Sequence, residues 1–339
     1  MPLSLHSISV LNENSKPRRM ERLYPLRFEP VASARPWGGY ALMNGLGKKF
    51  PVSEGNPIGE SWELADVAGV SSVVANGPLA GKTIAELVRS FPERLLGQGR
   101  VWDRFPLLVK YLNIENKLSV QVHPDDTLAL RRYGSLGKAE VWFILDAGPQ
   151  SAVYMGFNRD VTPSEFREAC KNGTADRLLN VIHPRRGDMI FIKPGTVHAA
   201  DGGLVVCEIQ ESSDLTFRLY DWGRELNPVT ARDMHLDEAL DVIDYRKYSA
   251  SDSSAGVTVC PQFTVRRLTL NGREAVGKAD PERFVIYNCI KGEVLLQMAA
   301  DPTEYRLCTG DTLLVPAECL EYVLTPLVPG SELLASTVL

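Results

Sequence analysis

The sequence lacks the features that mark a membrane protein or a nucleic-acid-binding protein. None of its apolar runs approaches the roughly 20 residues that a membrane-spanning helix needs. Asp and Glu outnumber Lys and Arg by 42 to 37, and a net charge of −5 argues against a broad basic face for nucleic acid. We therefore expect neither membrane nor nucleic acid as a partner, although this balance permits a local cationic pocket for a small anion.

The cysteines form no metal-binding or redox motif. Six of them stand at positions 170, 207, 260, 289, 308 and 319, far apart and without a CxxC spacing, and several lie in apolar runs. Such cysteines pack as small hydrophobic side chains, and disulfides are rare in reducing compartments. We therefore expect reduced thiols in a cytoplasmic protein.

The first 19 residues also lack the apolar core of a signal peptide, because they mix Ser, Asn, Lys and Arg. We expect them to be a disordered extension, with the folded chain beginning near Met20.

Short apolar runs rich in β-branched and aromatic residues recur between Gly, Pro, Asn and Asp. Clear examples are residues 105–111, 140–145, 188–192 and 203–209. Closely spaced strands of this kind predict a mainly β fold, built as a sandwich or a barrel.

Helical patterns are few. They cover residues 83–91, 162–171 and 236–243, and the second begins with Thr162-Pro-Ser-Glu165, a capping box with proline at the first helical position. We expect three short helices from these patterns.

An internal repeat predicts two units of one type. The segment at 187–194 reads GDMIFIKP, and the segment at 310–316 reads GDTLLVP, beyond a small and polar stretch at 248–256. The later copy has no histidine after its proline. We therefore expect a catalytic, metal-binding barrel with leading strands at 20–247, and a second barrel without metal ligands at 257–339.

The chain has five histidines, and two of them end β-like runs in a similar way. His123 lies in LSVQVHPDD at 118–126, where Gln121 shares its strand face, and His198 ends KPGTVH at 193–198. Glu140 opens an apolar run between them. Imidazole nitrogen with carboxylate or amide oxygen suits zinc, and also manganese, iron or cobalt.

A lone histidine in a strand is more commonly a hydrogen-bonded core or surface residue than a ligand. We interpret His6, His183 and His235 in that way.

An early His and Glu followed by Gly-Asp, an apolar strand and Pro-Gly-x-x-His resembles the pattern of cupin barrels. Gln121 departs from it, because cupins commonly carry another histidine there. With that departure, four ordered motifs resemble type I mannose-6-phosphate isomerase in its short bacterial form. They are LSVQVHPDD at 118–126, GKAE at 137–140, PGTVHA at 194–199 and FRLYDW at 217–222.

The resemblance runs from about residue 24 to the C terminus, and IGESWE at 58–63 also fits it. It implies two cupin-type, jelly-roll β-barrels with a few short helices. It also implies interconversion of mannose 6-phosphate and fructose 6-phosphate through a cis-enediolate. We expect either a monomer or a homodimer. One zinc ion per chain would be held by Gln121, His123, Glu140 and His198. Ala200 is a local difference, since many members have an aromatic residue there.

The resemblance also implies roles for residues that the pattern alone leaves ambiguous. Strand alternation puts Arg218 on one face with Thr216 and Tyr220, which fits a solvated edge charge as well as a pocket. The family places this arginine at the active site, where it would stabilise the enediolate or hold the phosphate. The resemblance favours Glu208 as the base or proton shuttle, or else as a residue that orients a ligand histidine, and Asp214 remains a second candidate for the base.

With the resemblance, we expect the remaining candidates to contact the substrate. Ser119 shares the strand face of the ligands, and Lys138 precedes Glu140 by two residues. Lys110 and Asp214 complete the predicted set, with Lys138 also counted as catalytic. Lysine is a point-charge partner for phosphate, and serine offers a hydroxyl.

Two glycine-rich motifs around tryptophan carry no evident chemistry of their own. ARPWGG at 34–39 and GESW at 59–62 suit core packing, or else the lining of a pocket.

Two other functions remain open from sequence. One is a cupin metal-dependent oxygenase, and the other is a cupin that binds sugar phosphates without turning them over.

Overall fold

The computed structural model describes residues 22–51, 57–67, 69–99, 102–229, 231–249, 257–272, 274–276, 283–299 and 302–339. Within these ranges the fold is mainly β, as predicted, with six short α-helices. The predicted extension at 1–19 and most of the polar stretch at 248–256 lie outside the described residues. In the described part, no helix is both long and apolar enough to cross a membrane.

The strands are β1 Val31–Gly39, β2 Ile58–Leu64, β3 Asp66–Val67, β4 Val70–Ser71, β5 Leu107–Ile114, β6 Val120–Val122, β7 Glu140–Ala147, β8 Ala152–Phe157, β9 Leu179–Ile182, β10 Met189–Ile192, β11 His198–Asp201, β12 Leu204–Glu211, β13 Phe217–Tyr220, β14 Val257–Val259, β15 Phe263–Leu270, β16 Glu274–Val276, β17 Val285–Lys291, β18 Glu293–Met298, β19 Glu304–Cys308, β20 Thr312–Val315, β21 Tyr322–Pro326 and β22 Ser331–Val338. The helices are α1 Ala41–Leu46, α2 Ile84–Ser90, α3 Pro92–Leu96, α4 Asp126–Tyr133, α5 Pro163–Lys171 and α6 Leu236–Ala239.

Four antiparallel sheets form two face-to-face pairs. The first pair has the strand orders β1-β2-β5-β12-β7-β10 and β13-β6-β11-β8-β9. The second pair has the orders β14-β15-β22-β17-β20 and β16-β21-β18-β19. The sheets of a pair stay open at their edges, so each unit is a jelly-roll sandwich rather than a closed barrel.

The largest apolar cluster joins the two units. It contains Val109, Val141 and Phe143 from the first sheet together with Ile286 and Leu334 from the third. Separate clusters fill the space inside each pair of sheets. The two units therefore pack against each other through the outer faces of their longest sheets.

The repeated Gly-Asp segments form equivalent turns. Gly187 and Gly310 both adopt left-handed backbone conformations, with φ angles of 93° and 95°. Their N–H groups donate to Ile144 and Cys289 in the neighbouring strands, each over 2.8 Å. The strands that follow, β10 and β20, each lie at the edge of a long sheet.

Strand pairing after these turns shows what replaces the candidate ligand Glu140 in the second unit. Glu140 pairs with Ile192, five residues after Gly187. Val285 pairs with Val315, five residues after Gly310. An apolar side chain therefore stands in the second unit where the first has a carboxylate.

Helix α2 lies in the segment that its helical spacing predicts, and helix α5 begins where its capping pattern predicts. Thr83 and Glu86 form a complete capping box on α2. The Thr162 side chain accepts a hydrogen bond from the backbone N–H of Glu165 over 3.2 Å, but the Glu165 carboxylate pairs with Arg159 instead of closing the box.

The prediction of a helix through residue 243 was wrong, because α6 ends at Ala239. Beyond this point the chain turns more tightly, and the Val242 N–H donates to the Ala239 carbonyl over 2.9 Å instead of continuing the i to i−4 ladder. Arg132 donates to the Glu238 carbonyl over 3.5 Å, and the Tyr245 hydroxyl donates to the Leu240 carbonyl over 2.9 Å.

Candidate metal centre and substrate cavity

Two imidazoles and one carboxylate meet between the sheets of the first unit. Ligand atoms of His123, Glu140 and His198 all lie within 4.8 Å of one another. Glu140 opens β7 on one sheet, and His198 opens β11 on the facing sheet. None of the three is more than 1% exposed.

Backbone carbonyls orient both histidines. His123 Nδ1 lies 2.9 Å from the Leu215 carbonyl oxygen, and His198 Nδ1 lies 3.0 Å from that of Thr196. Nδ1–H donation to these carbonyls leaves each Nε2 with its lone pair toward Glu140, at 3.2 Å from Oε1 and 3.7 Å from Oε2 respectively. Metal-ligating histidines are commonly held in this way.

Protonation does not compete strongly for these nitrogens. Burial, together with the positive charge of Lys138, lowers the pKa of His123 to about 3. Burial also lowers the pKa of His198. Both imidazoles are therefore neutral near pH 7, which is the form that binds metal.

The Glu140 carboxylate is ionised and only partly satisfied. Burial alone would raise its pKa, but the positive charge of Lys138 brings it well below its usual range. Lys138 donates to Oε1. Oε2 is buried and has no hydrogen-bond partner. A buried anionic oxygen without a donor is costly unless a cation lies beside it, so the cluster fits a metal ion.

Gln121 adds an amide to the cluster. Its strand β6 pairs with β11 so that Gln121 lies directly opposite His198, and their Nε2 atoms are 3.2 Å apart. A half-turn of the amide presents its oxygen instead of its nitrogen to the same point. The structure therefore brings all four predicted ligands together, although β6 ends at Val122 and His123 lies just beyond it.

Two rows of side chains face each other across the sandwich. Arg218, Gln121 and His198 are direct neighbours on β13, β6 and β11. On the opposite sheet, Trp62, Lys110, Glu208 and Trp142 are direct neighbours on β2, β5, β12 and β7. Five residues of the two rows line a cavity of about 800 Å³ together with Ser119, Lys138 and Asp214; they are Arg218, Gln121, Lys110, Glu208 and Trp142.

Charges alternate along the floor of this cavity. Lys110 Nζ lies 3.2 Å from Glu208 Oε2 and donates to Gln210 Oε1 over 2.9 Å. On the other side of Lys110, the Arg35 guanidinium donates to both carboxylate oxygens of Glu60 over 3.0 and 3.1 Å. Each carboxylate on this floor is therefore paired with a cation.

Burial and pairing set the ionisation of these groups. Burial raises the pKa of Glu208, although Lys110 opposes the shift. For Glu60, burial would raise the pKa, but Lys110 and Arg35 lower it to about 2. For Lys110, burial would lower the pKa, but Glu208 and Glu60 raise it. Lys110 therefore remains an ammonium ion across the physiological range.

Arg218 and Ser119 offer unpartnered donors to the cavity. Arg218 donates from one terminal nitrogen to the Asp233 carbonyl over 2.7 Å, while its buried Nε has no partner. Burial, with Arg232 nearby, lowers its pKa. The Ser119 hydroxyl is buried and likewise has no partner. Asp214 is exposed at the cavity wall.

Sequence reasoning missed several residues that line the cavity. Arg35 and Glu60 come from the motifs around tryptophan, so the pocket-lining interpretation of those motifs was the better one. Tyr133, Arg232 and His235 also line it. Of these, only His235 was considered, and as an ordinary hydrogen-bonded histidine; its Nδ1 accepts a hydrogen bond from the Arg218 backbone N–H over 3.3 Å.

Glycines bring the first two strands close enough to place Arg35. A Cβ atom on Gly38 would lie 2.5 Å from the Gly59 nitrogen, and one on Gly59 would lie 2.5 Å from the Arg35 Cβ. A side chain at either glycine would separate β1 from β2. The glycines in both motifs are the trace of this close approach in the sequence, although they do not specify the register that brings Arg35 to Glu60.

The jelly-roll sheets and the buried cluster between them define a cupin with a candidate metal centre. Comparisons with known proteins are more specific. Residues 26–140 match the family model for the catalytic domain of type I phosphomannose isomerase. The chain is 33% identical over 303 residues to mannose-6-phosphate isomerase ManA of Bacillus subtilis (strain 168), covering 86% of this chain and 93% of the relative.

Other matches agree. The probable mannose-6-phosphate isomerase GmuF of the same organism is 40% identical over 223 residues, which cover 65% of this chain and 68% of GmuF. A crystal structure of the mannose 6-phosphate isomerase from Bacillus subtilis has a TM-score of 0.80 at 30% identity, over 92% of this chain and 99% of that one. The chain therefore belongs to the type I phosphomannose isomerase family.

Proposed function

We propose that this protein interconverts mannose 6-phosphate and fructose 6-phosphate. The observation that carries the proposal is the meeting of Gln121, His123, Glu140 and His198 in one buried cluster beside a cavity that also contains Glu208 and Arg218. Both relatives described above carry the name of that activity, and one of them aligns with most of the chain.

Zinc is the ion that we assign to the cluster, at one ion per chain, held by these four side chains. Two imidazole nitrogens with carboxylate and amide oxygens form a donor set that suits zinc and also manganese, iron or cobalt, and we choose zinc because the family resemblance implies it. A bound dication supplies Lewis acidity that polarises a sugar carbonyl and keeps two neighbouring oxygens on one side.

Glu208 is the group that we assign as base. Isomerisation moves a proton between C1 and C2, and a carboxyl group can abstract that proton only in its ionised form. Glu208 projects from the middle of β12 into the cavity and is held by Lys110 on one oxygen and Trp142 on the other. Both supports favour the ionised form, which counteracts the burial of the group.

Arg218 and Lys138 supply positive charge where the enediolate develops. Arg218 stands on the opposite wall with an unpartnered Nε, and Lys138 contacts the cluster through Glu140. Donors fixed in a dry cavity stabilise charge that appears in the transition state.

The sugar and its phosphate occupy the remainder of the cavity. The Ser119 hydroxyl, Lys110 and Lys138 are candidate donors to the substrate, and Arg35 and Arg232 extend the cationic wall. Asp214 accepts hydrogen bonds from sugar hydroxyls at the cavity wall in this proposal, since a carboxylate repels phosphate.

We assign the chemistry to the unit at 20–247 and a supporting role to the unit at 257–339. The candidate ligands all lie in the first unit, and Val285 occupies the position of Glu140 in the second. We also place the protein in the cytoplasm, which the six free cysteines support.

A coupled assay tests the proposal. Purified protein should convert mannose 6-phosphate to fructose 6-phosphate, lose that activity on chelation, and regain it when zinc is restored. Oxygen consumption without isomerisation would favour the cupin oxygenase. Binding of mannose 6-phosphate without turnover, in protein with full metal content, would favour a sugar-phosphate-binding protein.

A further inference from the structure

Trp142 contacts both halves of the proposed active site. Its indole Nε1 donates to Glu208 Oε1 over 2.8 Å, and the other oxygen of Glu208 lies 3.2 Å from Lys110 Nζ. The same indole packs edge-on against the His198 imidazole, with ring centroids 5.9 Å apart and an interplanar angle of 84°. Trp142 is fully buried, so its orientation is fixed by packing.

The indole supplies what the neighbouring lysine cannot. An ammonium group is a point charge on a flexible stem, and it permits a carboxylate to rotate about its last bond. An indole N–H is a single donor on a rigid ring. With one oxygen held by Trp142 and the other by Lys110, the plane of the Glu208 carboxylate is defined.

The second unit provides an internal comparison. Tyr287 pairs with Ala335 across β17 and β22, as Trp142 pairs with Glu208 across β7 and β12. The Tyr287 hydroxyl bonds to that of Tyr322 over 2.7 Å. In the second unit, tyrosine and alanine therefore replace both the indole and its carboxylate partner. The same strand, β17, also carries Val285 in the position of Glu140.

We propose that Trp142 is a positioning residue for proton transfer, acting through its hydrogen bond to Glu208. This inference rests on the proposed isomerase function and on Glu208 as its base. Trp62, in the same row, does not share the role, because its indole donates to Glu60 over 2.6 Å.

The test is a double-mutant cycle of wild type, Trp142→Phe, Glu208→Gln and the double variant, all with measured metal content. Trp142→Phe keeps an aromatic ring against His198 but removes the donor. Since hydrogen bonds to charged groups contribute the most among hydrogen bonds, kcat should fall about 10- to 100-fold with KM changed less than about threefold. In the Glu208→Gln background the same change should lower kcat by less than about threefold.

Trp62→Phe is the matched control, because it removes an indole from the same row without touching Glu208. Its effect on kcat should multiply with that of Glu208→Gln. If Trp142→Phe is poorly folded, Trp142→Met fills the space with a flexible apolar side chain that also lacks an N–H donor, and it should show the same loss of coupling.

The inference would be overturned if Trp142→Phe kept the wild-type kcat, or if it lowered kcat by the same factor in the Glu208→Gln background as in the wild type. It would also be overturned if loss of metal accounted for the whole defect of Trp142→Phe. An inactive wild-type protein would instead refute the proposed function.

Discussion

Lys138 and Glu140, two residues apart, form an ion pair that involves only one oxygen of the Glu140 carboxylate. Lys138 donates to Oε1, while Oε2 is buried without a hydrogen-bond partner and lies 3.7 Å from His198 Nε2. The pair therefore joins a candidate ligand to a candidate catalytic cation within three consecutive residues. The two side chains should nevertheless respond in opposite ways to substitution.

Glu140→Gln should lose bound metal, and Lys138→Met should keep it. The first change removes the only anion of the cluster, whereas the second removes a positive charge that repels a dication. We expect less than half the wild-type zinc content in Glu140→Gln. In Lys138→Met we expect full zinc content with turnover lowered about 100-fold or more. Elemental analysis of purified protein beside the coupled assay checks both, and zinc-depleted Lys138→Met would contradict the assignment of Lys138 to the substrate.

Arg218→Lys should retain metal and lose most of its turnover. The guanidinium holds the Asp233 carbonyl with one terminal nitrogen while its Nε remains free for the substrate, and an ammonium group cannot do both. We expect kcat to fall about 100- to 1,000-fold. Arg246→Lys is the control, since Arg246 pairs with Asp244 at the surface, and its kcat should be unchanged. Near-normal turnover in Arg218→Lys would remove Arg218 from the mechanism.

The acid limb of activity should have a midpoint above 4.5, the ordinary pKa of a glutamate. Burial raises the pKa of Glu208, so its proton-abstracting carboxylate form is lost as pH falls through a value higher than that. Glu208 is faced by Lys110, Lys138, Glu140 and Glu60, of which Lys110 lowers its pKa most strongly.

Lys110→Met should therefore move this limb to still higher pH. The measurement is kcat/KM against pH with metal content determined at every point, so that loss of metal in acid is separated from protonation of Glu208. A limb that stays in place in Lys110→Met would argue against Glu208 as the base.

Lys48→Met should destabilise the fold far more than it affects catalysis. Lys48 forms a buried ion pair with Glu63 over 2.6 Å and donates to the Gly310 carbonyl over 2.7 Å, which ties β2 to the turn before β20. Breaking such a pair from one side leaves a buried charge and costs about 3–5 kcal/mol.

Urea unfolding measures the change, and two variants calibrate it. Lys48→Met/Glu63→Leu should recover part of the loss, because no unpaired charge remains. The Lys291 side chain is 55% exposed and pairs with Glu332. Lys291→Met should therefore lower the free energy of unfolding by less than about 1 kcal/mol. Equal losses in Lys48→Met and Lys291→Met would show that the buried pair is not special.

The parts of the site that could be predicted from sequence are those carried by short motifs. Gln121 and His123 are separated by one residue, and Glu140 and His198 each open a strand, so local alternation and turn signals locate them. Their meeting point follows from the way two sheets of a jelly roll face each other.

Residues missed from sequence depend on pairing between distant segments. Arg35 faces Glu60 because β1 and β2 pair with a shift in register, and Glu60 approaches Lys110 because β2 pairs with β5. Nothing within either segment states that register. The end of α6 at Ala239 was missed because residues 236–243 contain no glycine or proline that would mark it.

The apolar cluster shared by the two units bears on how small a working version of this protein can be made. Truncation at the polar stretch near residue 250 would remove Ile286 and Leu334 from their contacts with the first sheet. Val109, Val141 and Phe143 would then lie on a large exposed apolar face. Such a fragment would contain every residue assigned to chemistry and would still aggregate. A minimal enzyme would need its exposed face redesigned before its active site could be studied alone.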